Sequence, residues 1–176
     1  IDSSITISTN NEDSIIKIII IGDSWAENAK EYKMPQILDS ILNINNIACN
    51  IIAKGQYGAT SRDIYINLCT EIEKFNYLPD IAIVSCGIND SHGQYGSNFY
   101  AYHTSLILQK LLELKITPIL IELPYYNISS QYKYYPTYKQ FAYHALSILT
   151  DFNLEINNIE RYRKKLRNTL NKQKIE

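Results

Sequence analysis

Four isoleucines in a row, Ile18–Ile21, follow one charged residue in the stretch Lys17–Glu27, K-I-I-I-I-G-D-S-W-A-E. A strand with one wet face alternates apolar and polar residues, so an unbroken run like this reads as a strand covered on both faces, the signature of a parallel sheet in an α/β fold. Gly22-Asp23-Ser24 then closes the strand in a tight turn with Ser24 at its tip. In open α/β sheets ligands bind in the crevice beyond the carboxyl ends of the strands. Ser24 is therefore the first candidate nucleophile, and the rest of the chain has to supply its partners.

The pattern recurs along the chain. Met34, Ile37, Leu38, Ile41 and Leu42 repeat at helical spacing, with Pro35 placed for a first turn. Ile47–Ala53 is a second apolar run, ending in Lys54-Gly55-Gln56-Tyr57-Gly58-Ala59-Thr60. Thr60 or Ser61 can cap a helix whose face is Ile64, Leu68, Ile72 and Phe75. Ile81–Cys86 is a third buried strand and stops at Gly87-Ile88-Asn89-Asp90. A polar stretch, Ser91–Asn98, leads to a helix through Leu106–Leu114, and Pro118–Leu123 is a fourth strand. Two further helices are outlined by Tyr138, Phe141, Ala145, Ile148, Leu149 and Phe152, and by Ile159, Tyr162, Leu166 and Leu170. Strands alternating with helices of this length predict βαβ units, hence a doubly wound, three-layer α/β/α sandwich with a mostly parallel sheet. Ser24, Gly58, Asn89 and Tyr125 would then meet at one edge of that sheet.

With 176 residues and 45% hydrophobic content the chain is large enough for one core, so residues 15–176 are expected to form a single domain behind a flexible polar lead-in, residues 1–14. A formal net charge of −1 gives no electrostatic case for nucleic acid or an anionic membrane. No apolar run reaches the roughly 18 residues of a membrane span, which predicts a soluble protein. Three cysteines, Cys49, Cys69 and Cys86, are too few for a disulfide framework and read as small hydrophobes. The chain begins at Ile1 rather than Met, so its N-terminus is expected to be trimmed or processed, which would fit export.

A serine hydroxyl is a weak nucleophile until a base takes its proton, and acyl transfer also needs donors for the developing oxyanion. Gly58 offers a backbone N–H that no side chain obstructs, and Asn89 a side-chain NH₂. Gly22-Asp23-Ser24, Gly58 in G-A-T-S, and Gly87-Ile88-Asn89-Asp90 resemble, in order and spacing, the first three blocks of the SGNH (GDSL-type) hydrolases, over roughly residues 15 to 125. That resemblance implies a flavodoxin-like sandwich and an esterase, lipase or carbohydrate deacetylase needing no metal or other cofactor. It makes Ser24 the nucleophile and Gly58 and Asn89 oxyanion donors alongside the Ser24 N–H.

The chain departs from the family at its fourth block, an Asp-x-x-His that supplies the base: no Asp here is followed three positions later by His. His92 lies just beyond Asp90, while His103 and His144 fall on helices, where packed histidines are the commoner reading. The last helix stands where the family's last long helix does, so a fifth strand and the missing block would be expected beyond Glu176. The base is expected from one of these histidines, from a residue past 176, or from another chain.

Simpler readings stand beside these. Ser24 or Asp23 can be a helix cap. Asp23, Asp90 and His92 lack the spacing of a metal site. Neither G-x-G-x-x-G nor a phosphate-binding G-x-x-x-x-G-K-[ST] occurs. Seven tyrosines in Tyr125–Tyr143 suit sugar rings, or an aromatic surface loop. Arg161, Arg163, Lys164, Lys165 and Arg167 read as a solvated helix face, and Asn127-Ile128-Ser129 as a chance match to a glycosylation triplet. The expected function is removal of a small acyl group, acetyl in the first instance, from a carbohydrate through an acyl-serine. The alternative is a carbohydrate-binding or scaffold protein that keeps the fold without the base.

Overall fold

A computed structural model describes residues 15–29, 31–74, 78–92, 95–124, 135–149 and 156–175, the side chains of 73, 143, 144, 146–149 and 156–158 excepted. The isoleucine run becomes the inner strand β1 (Ile16–Gly22). After it come α1 (Ser24–Asn28), α2 (Met34–Ile44), β2 (Cys49–Gly55) and α3 (Ser61–Glu71), which is prolonged by a 3₁₀ turn, Ile72–Lys74. Then follow β3 (Ile81–Ser85), α4 (Ile88–His92), α5 (Gly96–Glu113), β4 (Thr117–Ile121), α6 (Thr137–Leu149) and α7 (Ile156–Gln173). The sheet runs β2-β1-β3-β4 and every pairing is parallel. Helices flank it on both faces, which gives the three-layer α/β/α architecture expected from the sequence. The register sets Gly22 beside both Gly55 and Ser85, and Ser85 beside Ile121, so the four carboxyl ends are level along one edge.

One face of the sheet carries Ile19, Ile21, Ala82 and Val84 and packs on α3, α5 and α7 through Leu68, Ile107, Leu111, Ile159 and Tyr162, all buried. On the other face Ile20 and Ala53 meet Ala26 and Ala29, at and just past α1. A methyl group is all that each alanine puts between the two layers, so close packing brings α1 tight against the sheet.

Three expectations are corrected. Ser24 does not sit at the tip of a turn but opens α1. The helix expected from Leu106 begins ten residues earlier, at Gly96, because Ser97, Thr104 and Ser105 are buried on the same face as Tyr100, Ala101, Ile107 and Leu108; small polar residues there hide an apolar period. Part of the polar stretch Ser91–Asn98 expected to precede that helix is likewise helical in α4 and α5. The apolar set of α2 forms a helix as expected but not a core: no residue of α2 is buried, and Ile37 and Ile41 are 56% and 52% exposed. Residues 1–14, Phe75, Tyr125, Asn127-Ile128-Ser129, Phe152 and the His144 side chain lie outside the described residues. No helix among the described residues is long and apolar enough to cross a membrane.

Candidate active site

β1 ends at a glycine because nothing larger fits: a Cβ on Gly22 would stand 2.1 Å from the carbonyl oxygen of Ser85 on the adjoining strand. The chain then turns into α1. Asp23 is the N-cap, its Oδ1 accepting the Trp25 N–H at 3.0 Å, and its carbonyl accepting the Glu27 N–H. Ser24 follows as the first helical residue, half-buried, where a backbone N–H has no intrahelical acceptor. Because the Asp23 carboxylate engages Trp25, the Ser24 N–H is left for another acceptor. The Ser24 hydroxyl has no hydrogen-bond partner among the described residues.

The turn after β2 is tied to both neighbours. Gln56 N–H donates to Gly22 O at 3.2 Å, and the Tyr57 hydroxyl bonds Asn28 at the end of α1. Gly58 adopts φ +72°, a left-handed conformation that glycine takes without strain, and its missing side chain would point into open space. Thr60 caps α3 in a capping box with Asp63. On α4, the Asn89 carboxamide donates one hydrogen to Ala59 O at 2.8 Å, which leaves its second N–H available. Asp90 is fully buried, and its two oxygens accept the N–H and the hydroxyl of Ser61.

The structure thus places Ser24, Gly58 and Asn89 on three connections at one edge of the sheet and links those connections to each other. Asp23 and Asp90 are buried beside this rim, Asp23 as the cap of α1 and Asp90 as the acceptor of Ser61. Burial raises the Asp23 carboxyl above the ordinary carboxylate value; the Trp25 N–H opposes this and the charge of Asp90 adds to it. Asp23 Oδ2 is buried with no partner. Burial also raises Asp90, against the two hydrogen bonds from Ser61 and the nearby His103, which favour its charged form.

The histidines are less decided. His92 ends α4 and is exposed as a residue, yet burial of part of it lowers its affinity for a proton. His103 is half-buried on α5, with Nδ1 3.0 Å from Phe99 O and its ring against those of Phe99 and Tyr102. Among the described residues no group of three or more His, Cys, Asp or Glu side chains could hold a metal ion.

Two sets of residues escaped sequence reasoning. Ser61, named only as a cap, instead holds Asp90; a serine one position past a good N-cap was the available hint. Arg163 and Arg167 are not simply solvated: Arg163 Nε donates to Leu123 O at 2.7 Å, and both guanidiniums pair with Glu122, which fastens α7 to the end of β4. The spacing of a basic run carries no sign of such partners.

No protein-family model matches the sequence, and no curated protein matches it. Solved structures do. The acetyl xylan esterase AlAXEase superposes with a TM-score of 0.65 at 16% identity, over 92% of this chain and 75% of that one. AlinE4, described as an SGNH-hydrolase family esterase, gives 0.63 at 18% identity over 92% and 74%. A serine-to-alanine mutant of AlinE4 gives 0.58 at 24% identity over 62% of this chain and 59% of its own. Likeness at these identities is likeness of fold, and the chain spans 59% to 75% of the length of these proteins.

Proposed function

We propose that this chain, which has the fold of the SGNH (GDSL-type) hydrolases, is a serine ester hydrolase that removes a small acyl group, acetyl in the first instance, from a carbohydrate. The observation that carries the reading is the tie between connections: Asn89 to Ala59, Tyr57 to Asn28 and Gln56 to Gly22 draw a hydroxyl, a glycine N–H and a carboxamide to one rim. In this reading Ser24 Oγ attacks the ester carbonyl. The oxyanion that forms takes hydrogen bonds from the Ser24 and Gly58 N–H groups and the second N–H of Asn89. The serine proton passes to a histidine and then to the departing alcohol, and water releases the acyl group as a carboxylic acid. His92 is the first candidate for that base: it sits on the Asn89 helix, and its lowered proton affinity keeps it neutral near pH 7. The likeness to an acetyl xylan esterase and the tyrosine-rich segment that follows β4 support a carbohydrate acetyl ester.

A second reading has its own support. The Ser24 hydroxyl meets no base among the described residues, which favours a carbohydrate-binding or scaffold protein. Loss of the histidine of a serine triad costs on the order of 10⁶ in rate. Hydrolysis of p-nitrophenyl acetate by the wild-type chain, Ser24→Ala, His92→Ala and His103→Ala separates the two. The hydrolase reading expects Ser24→Ala to lose several orders of magnitude in rate; equal rates in the wild type and Ser24→Ala would leave the binder.

A further inference from the structure

On the face of the sheet that carries α3, β2 presents Lys54 beside Ile21 of β1, where an apolar side chain would otherwise fill the layer. Gly55, next along, faces α1 on the other side of the sheet and so puts nothing into this layer. The helix above offers Ile64, Leu68 and Ile72, four residues apart and so on one stripe, which roofs the gap rather than filling it. The result is a cavity of about 340 Å³. Its walls are apolar, from Ile19, Ile21, Ile64, Leu68 and Ile72, and its polar groups are confined to the mouth. There the Asn67 carboxamide donates to Gln56, and Lys54 is close enough to favour the charged form of Glu71, which also pairs with Lys74. Of the residues that line the cavity, Lys54 and Glu71 carry opposite charges, and the apolar walls select for an uncharged occupant.

Its position connects it to the rim. Gly22, Gly55 and Gln56 line it, and Gly22 is two residues before Ser24. Consecutive Cα atoms are about 3.8 Å apart, so Ser24 Cα lies within roughly 7.6 Å of a wall of the cavity. The volume is near the lower end for ligand pockets, about 300–1,000 Å³, and is roughly twice that of an apolar cavity that holds benzene. That is room for an acyl chain of about six to eight carbons by the same comparison.

We infer that the cavity between β2 and α3 seats the uncharged acyl chain of the ester that Ser24 attacks, so that the protein accepts medium-length acyl groups as well as acetyl. The inference rests on the hydrolase reading for its role and on the cavity alone for binding.

Binding is tested without turnover by methyl NMR of Ser24→Ala titrated with hexanamide, a neutral compound that this chemistry does not cleave. Shifts confined to Ile19, Ile21, Ile64, Leu68 and Ile72 are expected, lost when Leu68→Trp fills the cavity or Asn67→Trp, at its exposed mouth, covers it. Absence of those shifts at millimolar hexanamide overturns the inference even if p-nitrophenyl acetate is hydrolysed. Where esters are hydrolysed, the ratio of kcat/KM for p-nitrophenyl hexanoate to that for the acetate should fall at least tenfold in Leu68→Trp and Asn67→Trp. An unchanged ratio in both variants overturns it. Shifts with no ester hydrolysed at all would sink the hydrolase reading and leave the binding site standing.

Discussion

The two faces of the sheet are built differently. Among the described residues, nineteen buried side chains form one cluster beneath α3, α5 and α7, including Tyr100, Tyr162 and Leu111; beneath α1 the cluster has four, three of them alanines. On that thinner side Ile119 of β4, level with Ile83, is 49% exposed, and the apolar stripe of α2 is turned largely to solvent. The contrast bears on the rim above. Gly58 and Asn89 belong to segments leading into α3 and α5, on the packed face, whereas Ser24 opens the short helix on the thin one. The oxyanion side of the candidate site is thus anchored by the core, and the nucleophile side by a cap, two alanines and the hydrogen bonds that cross between connections.

If that contrast is right, truncation should cost very different amounts on the two faces. Leu111→Ala, which opens a cavity in the packed cluster, should destabilise by about 2–5 kcal/mol, while Ile37→Ala on α2 should stay within about 0.5 kcal/mol. Urea unfolding of both variants is the measurement. Comparable losses would mean that the α2 face is covered in solution and the contrast is false.

Glycines give the next largest effect and sharpen the same picture. Gly22→Ala drives a methyl group into the Ser85 carbonyl and must part β1 from β3, a strain felt by both faces and worth about 1–3 kcal/mol. Gly58→Ala meets no atom, so only its left-handed backbone conformation is penalised, by about 1–2 kcal/mol. A thermal-denaturation series that ranks Gly58→Ala as the more damaging would place the steric constraint in the loop instead of the sheet.

Most of the fold was legible because it follows from periods. Ile18–Ile21 announced a strand covered on both sides, and the three glycine-bearing turns after β1, β2 and β3 announced a common edge; both come from local patterns that survive in any context. What was not legible depends on partners distant in sequence. Nothing in Met34, Ile37 and Ile41 says whether a neighbour will cover them, and the period of α5 was concealed by Ser97, Thr104 and Ser105, polar residues that the core admits where they find partners, as Ser105 does in Tyr102 O and Thr104 in Cys86. Ser61 looked like a cap until Asp90, 29 residues on, was seen to take both its N–H and its hydroxyl. The base was unreadable for a different reason: the family's own pattern for it is absent from these residues.

The smallest effect is expected from the two buried carboxyls, and it separates the faces chemically. Asp90 is satisfied by Ser61 at the start of α3, on the packed side; Asp23 caps α1 on the thin side and has one oxygen without a partner. Burial raises Asp23 above the ordinary value near 3.8, so the folded state holds its proton more tightly than the unfolded chain. The stability this contributes is present in full below that value and is lost as pH rises through the raised folded one. Asp23→Asn keeps a good N-cap and the Trp25 bond but cannot ionise. Its stability relative to the wild type should therefore improve from pH 3 to pH 7, whereas Asp90→Asn, which trades two bonds from Ser61 to a carboxyl group for one accepted from the N–H and one donated to the hydroxyl, should be less stable than the wild type at neutral pH. Urea midpoints measured across that range decide it. A constant difference between Asp23→Asn and the wild type would mean that water reaches Asp23 and that the thin face is not closed over it.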